Sequence, residues 1–151
     1  MNKEDWYRRT TWTESDQKAF FERLDRSRTN FHKAQYLRIQ ASYLQSVGKK
    51  EMALYSLELL DFMLKRFPEK SELACTYLQK AECLIILDKI EQAIDEMRNA
   101  LQSEREYPNT GTETWLEFGW TAIVYQLSHL YEESINILNF DSAGRSFMLR
   151  G

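Results

Sequence analysis

A 40-residue internal repeat constrains this chain more than any other feature of its sequence. Leu37, Ala41 and Leu44 recur at i, i+4 and i+7 ahead of a break at Gly48-Lys49-Lys50, and Tyr77, Ala81 and Leu84 do the same ahead of Asp88-Lys89. After each break a second periodic run follows. Ala53, Leu57, Leu60 and Leu64 match Ala93, Met97, Ala100 and Glu104 at the same offset, as do Pro68 and Pro108 beyond them. A third copy, offset by 41, aligns Phe118, Ala122 and Tyr125 in its first run and Ser134 and Leu138 in its second. Period 3.6 on both sides of each break means helix pairs, and three pairs fill residues 31–140. One repeat alone cannot bury its apolar face, so the copies must stack.

The rest of the chain fits one all-α domain over residues 1–151, with residues 1–30 as an arm and helix before the pairs and 141–151 as a tail after them. About seven helices are expected. Five glycines and two prolines leave little turn chemistry for hairpins of strands. The N-terminal helix starts near Thr11, capped by a Thr11–Glu14 box, or near Thr13, with Asp16 in the weaker version of that box, and ends near Arg28. Phe20, Phe21 and Leu24 form its apolar face. Cys75 and Cys83 lie eight residues apart on one helix, about 12 Å along its axis, too far for a disulfide. They read as small core residues in a reducing compartment. The longest aliphatic run, Leu84 to Leu87, is too short to cross a bilayer, and no leader is visible, so a soluble cytoplasmic protein is expected.

The pattern of large, small and large residues at these spacings, followed by a turn and an acidic-then-small opening of the second helix, resembles the tetratricopeptide repeat. The second-helix segments are Lys50-Glu51-Met52-Ala53, Ile90-Glu91-Gln92-Ala93 and Tyr131-Glu132-Glu133-Ser134. Ala41, Ala81 and Ala122 from one side, and Ala53, Ala93 and Ser134 from the other, let paired helices approach closely. The copies are longer than the usual repeat of about 34 residues, and stacked helix pairs of HEAT type are the competing alternative. The resemblance implies a right-handed stack whose first helices line a concave face that takes a protein or peptide. It places Gln35, Arg38, Ser42 and Gln45 there from the first pair, Cys75, Leu78, Glu82 and Ile85 from the second, and Leu116, Gly119, Ile123 and Gln126 from the third. The family's carboxylate-gripping Lys, Asn and Arg set is not reproduced at these positions.

Charge separates the chain into unequal halves. Residues 1–50 carry eleven Lys/Arg against six Asp/Glu, while the remainder carries nine against seventeen. A basic and aromatic arm, Trp6-Tyr7-Arg8-Arg9-Thr10-Thr11-Trp12, heads the positive half, with Arg8 and Arg9 as candidate contacts for an acidic protein. A nucleic acid is the weaker expectation, because residues such as Trp6 and Trp12 more often tuck under a terminal helix as a cap, and Arg23 and Arg26 have acids within one turn. No phosphate loop, nucleophile elbow or zinc-ligand spacing is present, and His32 and His129 lie far apart in the chain, so no enzymatic activity, cofactor or metal is expected. Phe147, Met148 and Leu149 in the tail are expected either to cover the last pair or to form a homodimer. A protein-interaction adaptor is the leading functional expectation. A self-associating structural protein and a small inhibitor or immunity-type partner are the alternatives.

Overall fold

The computed structural model describes the backbone of residues 5–149 and the side chains of residues 5–140. It is all-helical, with seven α-helices, short 3-10 turns and no strand among the described residues. The helices are α1 (Glu14–Asp25), α2 (Asn30–Ser46), α3 (Lys50–Arg66), α4 (Leu73–Ile86), α5 (Ile90–Glu106), α6 (Thr114–Val124) and α7 (Tyr131–Leu149). They form two compact units, residues 1–110 and 111–151.

In the first unit, turns too short for anything but an antiparallel return join α2 to α3 and α4 to α5. Each turn pivots on one residue with left-handed backbone, Gly48 at φ +78° and Asp88 at φ +60°. At the second turn the Lys89 N–H reaches the Leu84 carbonyl (2.8 Å) and the Asp88 N–H the Ile85 carbonyl (3.0 Å), so the freed carbonyls of α4 are satisfied as the chain reverses. The far ends match as well. Phe67 and Tyr107 both leave the helix at φ near −130° with their N–H groups still bonded to Met63 and Ser103. A proline follows each, and the residue before proline is driven out of helical geometry. The 40-residue offset is therefore one of backbone conformation as well as of sequence.

The hairpin interiors follow the small-residue pattern. Ala41, Ala53, Ala81 and Ala93 are fully buried, and the Ser56 hydroxyl donates to the Ala41 carbonyl (2.8 Å), tying α3 to α2. Cys83 donates in turn to Ser56 (3.3 Å), and burial pushes its thiol pKa up to about 11. Both cysteines are free.

The arm is a cap. Residues 5–7 form a 3-10 turn whose Trp6 and Tyr7 pack edge-on against each other and both meet Tyr36 of α2, Trp6 edge-on and Tyr7 tilted, while Trp6 and Trp12 both meet Phe20 of α1. Phe21 continues the run of rings to Phe62 of α3. A fully buried glutamine holds the arm's backbone: Gln40 accepts from the Arg9 N–H (3.0 Å) and donates to the Arg9 carbonyl (2.8 Å). Of the two starts expected for α1, the structure has Thr13 as N-cap, with Thr13 and Asp16 exchanging both bonds of the capping box. Asp16 prevails over Glu14 because its carboxylate also takes Thr11 Oγ1 (2.7 Å) and the Arg9 guanidinium (3.0 Å).

The second unit is the α6–α7 hairpin, and its register departs from expectation. Its left-handed residue is Gln126 at φ +54°, 38 residues after Asp88, with the Leu127 N–H on the Ala122 carbonyl (2.8 Å) as Lys89 is on Leu84. Tyr125 is thus the C-cap of α6, equivalent to Leu87, and 40% exposed, where the sequence pattern made it a core residue. A 3-10 turn at Ser128–Leu130 then restores the offset of 41, and Ser134 is buried as expected, its hydroxyl on the Leu130 carbonyl (2.8 Å). The helix α7 continues through residues 141–149, which the sequence reading assigned to a tail. The expected roles of Phe147, Met148 and Leu149 concern side chains outside those described.

Two outcomes check the cap. Gln40→Leu strips the Arg9 backbone of both partners and should destabilise the protein by about 2 kcal/mol in urea unfolding, with a red shift of Trp emission preceding the global transition. Burial raises the Asp16 pKa, but the Thr13 N–H, the hydroxyls of Thr11 and Thr13 and the Arg9 guanidinium outweigh it, and the carboxyl sits below its ordinary value. A carboxyl depressed in the folded state contributes stability that is complete above about pH 4 and is lost as pH falls through the folded value. Acid titration followed by Trp emission should show the arm loosening below about pH 4, and Asp16→Asn should remove that step.

Candidate functional site

The candidates on α2 and α4 come together, but their polar groups face each other. Glu72, in the 3-10 turn before α4 and only 7% exposed, accepts from Arg38 Nε and from Gln35 Nε2 (3.4 Å). Gln79 donates to the Arg38 carbonyl (3.1 Å) and accepts from its guanidinium (3.4 Å). Farther along, Gln45 donates to Glu82 (2.6 Å), and Lys50 pairs with Asp88 (2.8 Å) at the hairpin ends. Ser42 turns back to the Ile39 carbonyl, 2.6 Å away. These residues build a ladder of side-chain bonds between two neighbouring hairpins, with Leu78 and Ile85 half-buried beside it. A second tie crosses three helices. Lys80 of α4, 15% exposed at its side chain, bridges Asp61 of α3 (2.8 Å) and Glu96 of α5 (3.2 Å), and although burial lowers its pKa these two carboxylates more than reverse the shift. Neither Glu72 nor Lys80 stands out in the sequence, because a buried partner is visible only once helices are placed side by side.

The arm candidates are likewise engaged. Arg9 donates through Nε to the Trp6 carbonyl (3.2 Å) and pairs with Asp16, and the Arg8 guanidinium lies 5.3 Å from the centre of the Tyr7 ring.

The third set differs. The α6 pivot at Gln126 places Glu113, Leu116, Trp120 and Ile123 at the positions equivalent to Cys75, Leu78, Glu82 and Ile85. Leu116 and Ile123 therefore keep their expected place on the helix face, whereas Gln126 lies in the turn and not on that face, and Gly119 is half-buried with open space where a Cβ would stand. Sequence reasoning missed Trp120 through this three-residue difference in register. Leu116, Trp120, Ile123 and Val124 are 52%, 68%, 63% and 51% exposed, while Thr114, Phe118, Thr121 and Ala122 of the same helix are buried. Spacings of i, i+4, i+7 and i+8 put the four exposed side chains on one stripe, two turns long. The apolar stripe of this helix thus lies on its exposed side, while two of the four buried residues opposite, Thr114 and Thr121, carry hydroxyls.

Among the described residues no group of three or more His, Cys, Asp or Glu side chains is placed to hold a metal ion, and no helix is long and apolar enough to cross a membrane. If Arg38 and Glu72 form a structural pair, Arg38→Ala strands a nearly buried carboxylate and should cost about 2 kcal/mol in denaturant unfolding. The double variant Arg38→Met/Glu72→Met should recover most of that loss.

The chain matches no model of a known protein family, no curated protein and no solved structure among those compared.

Proposed function

We propose that the chain is a tetratricopeptide-like adaptor that binds a protein segment on the outer face of α6. The observation that carries this is the exposed stripe of Leu116, Trp120, Ile123 and Val124 on a helix whose opposite side is already packed. Exposed apolar side chains scattered singly are ordinary, but four in register on one helix are the pattern of a surface that loses water on binding. Tryptophan is the residue most enriched among those that dominate binding energy at interfaces, and here it lies mid-stripe between Leu116 and Ile123. The ladder between α2 and α4 supports the same assignment by default. Arg38, Gln45 and Glu82 satisfy one another within the chain, so a ligand there would have to break bonds that α6 does not ask it to break.

Capture from a lysate of the source organism tests this when paired with two surface variants of unchanged helical content. A protein bound in fixed stoichiometry should be lost about tenfold or more with Ile123→Asp, since a buried unpaired charge costs more than the 1.4 kcal/mol that tenfold represents. It should be retained with Glu58→Arg on the exposed side of α3. Retention by both variants would place the binding surface elsewhere.

A further inference from the structure

Resting on that assignment, we propose that the occupant of the α6 face is a basic amphipathic helix, apolar on one side with Lys or Arg flanking it. Residues 111–140 contain four carboxylates, Glu113, Glu117, Glu132 and Glu133, and no Lys or Arg. Glu113 lies at the N-terminal end of the exposed stripe, seven residues before Trp120 and so in line with it, and Glu132 opens α7; both are exposed. The surface thus pairs an apolar strip with a local excess of negative charge in an acidic part of the chain.

That combination selects among occupants. A second copy meeting this face would bring the same acidic balance, with no Lys or Arg from its residues 111–140, and so would supply no complementary charge. An anionic lipid surface or a nucleic acid would bring phosphates towards the same charges. A helix with apolar residues at i, i+3, i+4 and i+7 matches the stripe in length, because Leu116 to Val124 spans about 12 Å at 1.5 Å per residue, and a basic residue beside its apolar face would meet Glu113 in line with the stripe, while Glu132 in the first turn of α7 adds to the negative charge of the unit. Lys and Arg suit that rim because their stems cover apolar surface while their charged ends reach the carboxylates.

The full chain can be titrated with three synthetic peptides of about five helical turns: a Leu/Lys amphipathic helix, its Leu/Glu counterpart and a Leu/Lys scramble without helical periodicity. Binding is read by calorimetry at about 0.1 M salt, with sedimentation of the free chain alongside. The Leu/Lys helix should bind one to one, at least about tenfold tighter than either other peptide, and Glu113→Gln/Glu132→Gln and Ile123→Asp should each weaken it by about tenfold. Equal or tighter binding of the Leu/Glu helix, lost with Ile123→Asp, would overturn the basic partner while leaving the α6 adaptor standing. Leu/Lys binding indifferent to Ile123→Asp, or no Leu/Lys binding at all, would overturn the inference at this face. A free chain of twice the monomer mass that Trp120→Ala converts to monomer would make a second copy the occupant and overturn it too.

Discussion

Each hairpin in this protein depends on one residue accepting left-handed backbone. A helix reversed in so few residues has to turn sharply and still find donors for its last carbonyls, and the left-handed residue does both. Gly48 meets that demand at no steric cost, Asp88 is of a type that tolerates it, and Gln126 adopts it at a cost of about 1 kcal/mol. In the second and third hairpins the bonds to the carbonyls of Leu84 and Ala122 offset that strain. The pivot matters beyond the turn because it sets the register of the helix before it. Moving it by three residues turns the helix face by about 60°, which leaves Phe118 and Ala122 buried but brings residues at the margin of that face, Trp120 and Tyr125, to the surface.

That dependence explains what could be read from the sequence. The first two copies were legible because three independent signals agree: apolar spacing, a turn at Gly48 or Asp88, and a proline just beyond the second helix. In the third copy only apolar spacing was available. Phe118 and Ala122 satisfy it at an offset of 41 and are indeed buried, but no glycine or asparagine marks the turn at Gln126, so Tyr125 was placed inside and Trp120 overlooked. Polar structure was less legible still. Trp6 and Trp12 announce a buried surface, yet Gln40, which holds their segment by its backbone, resembles any other helical glutamine until the arm is laid across α2.

Once placed, the polar side chains divide the protein's surfaces by use. In the first unit the groups that a peptide would seek are committed: Arg38 and Gln35 to Glu72, Gln45 to Glu82, Arg9 to Asp16 and Lys80 to two carboxylates at once. Such bonds contribute modestly to stability but penalise any arrangement that leaves one partner buried alone, and so they favour one alignment of neighbouring hairpins. The second unit invests in the opposite way. Its α6 presents Trp120 and three aliphatic neighbours to water, which stabilises nothing in the free chain and becomes favourable only when a partner removes them from it.

Docking on α6 requires its outer face to be open in the free protein. The most direct measurement is nuclear magnetic resonance of the four tryptophan indole N–H groups in the presence of a soluble paramagnetic agent, with each signal assigned by single Trp→Phe variants. The Trp120 signal should be the first bleached, and that of Trp12, 6% exposed beneath the cap, among the last to change. A Trp120 indole as protected as that of Trp12 would mean that the face is already covered and would contradict the assignment of α6 as the docking surface.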